Sequence, residues 1–172
     1  MKEVALPILL ACAVLAAPVA AQESENRVST ETDWSVFVED DPTQCWIVSA
    51  PKSIRNTRDG REVQARRGDI RLFVSFFPGQ DKMGEVSVTG GYPYRDGSTV
   101  TVTVGSDSYD FLTDGEYAWA QPDQDGAVTA SMKRGAQAVV VGVSGRGTRT
   151  EDTFSLLGFT AAMDDAAGRC SG

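Results

Sequence analysis

Residues 99–120 read TVTVTVGSDSYDFLTDGEYAWA, and this run decides the fold class. Val100, Val102 and Val104 alternate with Thr99, Thr101 and Thr103. A period of two puts one side of a strand against a core and the other toward water. Gly105 turns the chain into a second expected strand, Tyr109 to Thr113. Asp114-Gly115 is a two-residue hairpin signal, and it leads into a third, Glu116 to Ala120.

The same pattern extends outward in both directions. Upstream, Ile70 to Phe77 is the strongest strand, with Ile70, Leu72, Val74 and Phe76 on one face and Phe73 and Phe77 on the other. Apolar residues on both faces place it in the middle of the fold. Further strands are expected at Trp34 to Val38, Cys45 to Ser49 and Glu85 to Thr89. Asp40-Asp41-Pro42 reads as a turn, and Gly90 to Gly97 as a long loop carrying Tyr92 and Tyr94. Downstream, Asp125 to Gly135 breaks the β pattern. Asp125 reads as a helix cap, Val128 and Met132 as its buried side and Gly135 as its C-terminal cap. Ala138 to Val143 is a buried strand and Thr148 to Leu156 another. Gly158 interrupts, and Phe159 to Ala167 forms a short helix with Phe159, Ala162, Met163 and Ala166 on one side. Many short strands with Gly and Asp-Gly turns predict an all-β sandwich or barrel, with two short helices covering an edge or end.

The chain of 172 residues begins MKEVALPILLACAVLAAPVAAQES. Lys2, an apolar run from Val4 and Val19-Ala20-Ala21 have the form of a secretory signal peptide over residues 1–21, cleaved before Gln22. A lipoprotein box ending at Cys12 is the competing reading. Residues 22–32 are polar and read as a flexible leader, leaving 33–172 as one domain with no transmembrane segment. The mature chain keeps two cysteines, Cys45 and Cys170, and in an oxidising compartment that even pair reads as a disulfide. The net charge of −8 disfavours nucleic acid as a partner.

The C-terminal run has the pattern S-x-R-G-T-x-T-x-D-T-F-S-L-x-G-F-T-A-A from Ser144 to Ala162, followed by Cys170. It resembles the signature of the invasion-associated locus B family of small exported bacterial proteins. Met132-Lys133-Arg134-Gly135 before an apolar run and Trp34 opening a strand are similar too, so the likeness covers roughly 34–170. It implies an immunoglobulin-like β-sandwich and, in some members, a link to host association. Many members have a further cysteine near the N-terminal Trp; this chain has none there.

Chemistry is narrowed by the absence of histidine, which removes Ser-His-Asp and Cys-His catalysis. No catalytic residue, cofactor or metal site is expected. Ser49-Ala50-Pro51-Lys52 falls at a strand end without its partner motifs. The adjacent carboxylates Asp40-Asp41, Glu151-Asp152 and Asp164-Asp165 read as solvated surface. Arg67-Gly68-Asp69 spells an integrin tripeptide, but Asp69 begins a strong strand and three common residues meet easily by chance.

Two binding candidates remain. Residues 52–68 hold six cations against two carboxylates, +4 within a chain of −8. Asp59-Gly60 makes the stretch a hairpin that displays Arg55, Arg58, Arg61, Arg66 and Arg67 to solvent, either as a solvated loop or as a docking surface for an anionic partner. Tyr92 and Tyr94 in the long loop, with Tyr117 and Trp119 nearby, are residue types favoured at interfaces. Tyr117 and Trp119 also suit packing on a sandwich face. The expected activity is therefore contact with an unknown protein in the envelope or on a host surface. The alternatives are an inhibitor or accessory factor of an envelope enzyme, and a small carboxylate-dependent hydrolase.

Overall fold

Alternating burial runs through many of the strands of the structure, a computed structural model that describes residues 26–41 and 43–171. The expected export signal, its cleavage site and Cys12 lie outside the described residues. The elements are β1 (Arg27–Glu31), β2 (Trp34–Asp40), β3 (Thr43–Ser49), β4 (Ser53–Arg58), β5 (Arg61–Glu62), β6 (Arg71–Phe77), a 3-10 turn (Pro78–Gln80), β7 (Lys82–Thr89), β8 (Thr99–Val104), β9 (Asp107–Asp114), β10 (Tyr117–Trp119), α1 (Asp125–Arg134), β11 (Gln137–Val143), β12 (Arg149–Ser155) and α2 (Phe159–Cys170).

The strands form one 12-stranded antiparallel ladder in the order β1-β2-β3-β6-β7-β10-β9-β8-β11-β12-β4-β5. Among the described residues its two ends do not pair, so it is not a closed barrel. It folds over into a β-sandwich, with β12 returning toward the first strands. Trp34 Nε1 donates to the Ser155 carbonyl at 3.0 Å and the Asp33 amide to that of Leu157 at 3.3 Å. Trp34, Phe111, Phe154 and Phe159 are fully buried at the centre of a single core. Burial of a side chain of that class stabilises the fold by about 1.5–3 kcal/mol.

The meander over 99–120 forms as read: Val100, Val102 and Val104 are buried, and β8 pairs with β9 from Thr99↔Leu112 to Val104↔Asp107. β6 lies between β3 and β7; its Leu72, Val74 and Phe76 face is buried, while Phe73 and Phe77 on the other face are only half-buried. Residues 27–31, read as part of a flexible leader, are instead strand β1. That stretch has little apolar character; a hairpin with the next strand and a long-range contact to the last helix order it. Its backbone pairs with β2, and Ser29 Oγ donates to Asp165 of α2 at 2.6 Å. This hydrogen bond, helped by Arg169, holds the Asp165 carboxyl below its ordinary range.

The helices differ from expectation at their ends. Asp125 is the first residue of α1, but its side chain accepts from the Val86 amide of β7 at 2.8 Å, so it docks the helix on the sheet. Gly135 is the C-terminal cap of α1 as read, its amide donating to the Ser131 carbonyl at 2.9 Å, but its φ of −86° lies outside the left-handed region. Its lack of a side chain matters because a Cβ there would run into Val104. α2 continues past Ala167 to Cys170, whose side chain is buried and bonded to Cys45 of β3. Its buried face is Phe159, Ala162, Met163, Ala166 and Cys170, the stripe read from spacing. Phe159 meets Trp34 edge-on with centroids 5.0 Å apart.

Gly158 makes that docking possible. Its φ is +87°, and a Cβ there would collide with the Glu31 carbonyl oxygen at the end of β1. Gly158→Ala should therefore lose about 1–3 kcal/mol from the backbone conformation alone, with the collision adding to it. A urea denaturation midpoint equal to that of the parent protein would show that this contact does not hold the end of the sheet.

Candidate binding cleft

The hairpin β4–β5 turns at Asp59 (φ 51°) and Gly60 (φ +75°), two consecutive left-handed residues as a type I′ turn requires. β4 is bonded along its other side to β12, in the register Thr57↔Arg149 to Ser53↔Thr153. Residues 63–70 then cross to β6, and on the way they meet the loop after β7. The Gly68 amide donates to the Gly91 carbonyl at 2.8 Å. The contact is close enough that a Cβ on Gly91 would lie 2.6 Å from the Gly68 oxygen.

Arg67 is the centre of this junction. Its Nη1 and Nη2 each donate to one carboxylate oxygen of Asp152 at 2.6 Å, and Nε donates to the Gly90 carbonyl at 2.9 Å. The guanidinium also lies 5.1 Å from the centroid of the Tyr92 ring. Both side chains of the pair are buried, at 4% and 3% exposure. Burial pushes the Asp152 carboxyl up, and the hydrogen bonds and charge of Arg67 pull it only part of the way back. Arg67 therefore fastens β12 to the loop after β7 and is not the surface cation the charge pattern suggested. The integrin tripeptide has no accessible arginine for the same reason. Asp152 is likewise buried, not solvated.

Tyr94 is also a packing residue. It is 5% exposed, its amide donates to the Gly115 carbonyl at 2.8 Å, and its ring fits over Gly142, where a Cβ would lie 2.7 Å from Cε1. Burial holds its phenol far above the ordinary range. Tyr92 sits edge-on to it at 5.1 Å and hydrogen-bonds Thr150 Oγ1 at 2.5 Å, leaving one side of its ring on a cleft.

That cleft has a volume of about 570 Å³ and brings the hairpin, the crossing segment, the Tyr92 loop and the β11–β12 turn together. Arg58, Arg66 and Arg146 border it, and all three are exposed. Arg58 Nη2 donates to Thr148 Oγ1 at 2.6 Å, so its charge is positioned without being neutralised. Among the described residues none of the three is in a salt bridge, and Glu116 is the one carboxylate on the lining. Three uncompensated cations against one carboxylate make a basic spot on an acidic protein.

The structure thus brings Arg58, Arg66 and Tyr92 together around one opening, with Arg67 at its base. Arg55 is spent on Glu62 at 2.9 Å and faces a different groove. Arg61 is exposed beside the hairpin turn and does not line the cleft. Arg146 was missed by the charge count because it sits alone between Gly145 and Gly147, far from the basic stretch in sequence. Its place in an exposed turn between two strands was the available signal. Tyr117 and Trp119 stack at 5.5 Å on β10, with Tyr117 45% exposed.

Two of the three adjacent carboxylate pairs are drawn to different partners. Glu151 turns to Arg149 while Asp152 turns inward, and Asp164 pairs with Lys133 while Asp165 pairs with Arg169. Among the described residues no cluster of three or more His, Cys, Asp or Glu is placed to hold a metal ion.

The class of protein is clear from this architecture: an open antiparallel β-sandwich with two helices, the second fastened to the sheet by the Cys45–Cys170 disulfide. Residues 34–167 match the invasion associated locus B (IalB) protein family, and the chain belongs to that family. Among solved structures it is similar to the crystal structure of invasion associated protein B from Bartonella henselae, at 14% identity and a TM-score of 0.55. The match covers 84% of this chain and 98% of that one, a likeness of fold. No curated protein matches the sequence. None of the described helices is long and apolar enough to cross a membrane.

Proposed function

We propose that this chain is an exported protein that acts by protein–protein contact in the periplasm or at the cell surface, and that it presents the arginine-bordered cleft to its partner. The observation that carries this reading is the convergence of Arg58, Arg66 and Arg146 with Tyr92 on one concave site of a chain with net charge −8. Arginine and tyrosine are the side chains that most often anchor interfaces. Export agrees with the leader-like sequence of residues 1–21 and with the disulfide. The Bartonella henselae relative is named for invasion, so host-surface proteins belong among the partners to be tried. The alternative, an inhibitor or accessory factor of an envelope enzyme, would use an exposed loop such as residues 90–97. That loop is anchored by Tyr94 and by the bond from the Arg95 amide to Val143, which favours direct contact through the cleft.

Cross-linked pull-down from envelope extract and from host-cell surface preparations is the test, with the parent chain and an R66E/R146E variant as baits. A specific partner should be recovered by the parent and lost by the variant. Equal recovery by both, or repeated recovery of nothing by either, overturns contact through the cleft. A tagged chain found only in the cytoplasmic fraction overturns export.

A further inference from the structure

The chemistry of the cleft also specifies what it binds. Its three available cations are all arginines, and no lysine lines it. A guanidinium is a planar fork that matches a carboxylate with two parallel hydrogen bonds. The base of the cleft already holds one such match, Arg67 on Asp152, with both bonds at 2.6 Å. Between the arginines the walls are mixed, and apolar carbon is offered by Val63 and Ala65 from the crossing segment and by Pro93 beside the Tyr92 ring. A free inorganic anion would leave those walls unused. A sulfated polysaccharide suits an open track of cations, whereas here the charge is gathered at one concavity. An acidic peptide uses both parts, placing carboxylates on the arginines and side-chain carbon on the walls. The volume, about 570 Å³, is within the range of roughly 300–1,000 Å³ typical of ligand sites.

We propose that the cleft is a recognition site for an acidic peptide segment of a partner protein, with Arg58, Arg66 and Arg146 receiving its carboxylates. This rests on the reading of the cleft as the contact surface. The long-range field of the molecule is negative, so recognition is short-range and depends on the geometry of the forks, not on net charge.

The test is selection from a random-peptide display library on the mature, disulfide-bonded chain, followed by fluorescence anisotropy on the enriched sequences. Enriched peptides should carry two or more Asp or Glu, weaken as salt rises, and lose affinity when those residues become Asn or Gln. R66Q/R146Q should weaken them by about a hundredfold, from about tenfold for each charge-assisted contact removed. This variant touches no packing partner, so its thermal melting should match the parent. R58Q tests the third arginine, while R61Q, outside the cleft, should bind like the parent. Enrichment without acidic bias, affinities indifferent to R66Q/R146Q, or no enrichment at all overturns the proposal. So does a sulfated heparin oligosaccharide that binds through the same arginines and excludes every selected peptide. The pull-down fails separately: a partner captured in cells whose binding ignores these peptides leaves the contact function standing and removes only the acidic-peptide site.

Discussion

Replacing both cysteines, C45S/C170S, should lower the unfolding free energy by about 4–5 kcal/mol. The two residues are 125 apart in sequence, so the bond closes almost the whole domain into a loop. In the chain-entropy account a loop of that length restricts the unfolded state by about 5 kcal/mol. The bond also fixes the last turn of α2 against β3, where both cysteines are buried. Without it the helix keeps its apolar face but loses its covalent end. Urea denaturation is the measurement. The midpoint should fall and the slope should steepen, because the uncrosslinked chain exposes more surface on unfolding. The parent protein treated with reductant should behave like the double variant. An unchanged midpoint would remove the disulfide from the account of stability. Alkylation of Cys45 and Cys170 in the unreduced protein would remove the bond itself; intact mass should instead show two hydrogens fewer than in the reduced chain.

The second large effect is expected at Arg67. Arg67→Met leaves the Asp152 carboxylate buried with no cation, and also loses the bond to the Gly90 carbonyl. Breaking a buried ion pair from one side costs about 3–5 kcal/mol. A second substitution at the partner, R67M/D152N, should recover a large part of the loss, since no uncompensated charge then remains. The pH dependence follows from burial. Even beside Arg67, the Asp152 carboxyl sits above its ordinary value of 3.8. The folded chain thus keeps a proton that the unfolded chain releases. This group's contribution is fully present below 3.8 and is lost as pH rises through the raised folded value. Removing Arg67 pushes that value further up. The deficit of R67M should therefore be largest near neutral pH and shrink on acidification. A deficit independent of pH, or a double variant no better than R67M, would mean that Arg67 acts through packing and not through its charge.

Much of the architecture was legible in local pattern. Thr99 to Val104 alternates, Asp59-Gly60 turns, and Phe159 to Ala166 carries its apolar stripe, because strand, turn and helix each impose a short period on the residues that form them. Cys45 and Cys170 could be paired because they are the two of the three cysteines that lie beyond the expected export signal. The cleft was half legible. The basic stretch and the tyrosine loop were both visible, yet nothing local showed that they meet. Nor did anything distinguish Arg67, buried on Asp152, from Arg66 next to it, which is exposed. Neighbouring residues on an extended chain point opposite ways, and which side becomes the inside depends on a strand far away in sequence.

By itself the sequence determined the β class, the positions of most strands, the helical face of α2, the disulfide and the lack of histidine-based chemistry. These follow from residue type and spacing, which act over a few neighbours, and from the count of cysteines. The tertiary structure decided the strand order, the open sandwich over the barrel, and the ordering of residues 27–31 as β1. It also sorted the arginines, sending Arg67 to the interior, Arg55 to Glu62 and lone Arg146 to the rim beside Arg58 and Arg66. The physical reason is that a charge has no fixed role along the chain: its meaning depends on what partner and how much water the fold leaves it, and both are settled by contacts between residues tens of positions apart.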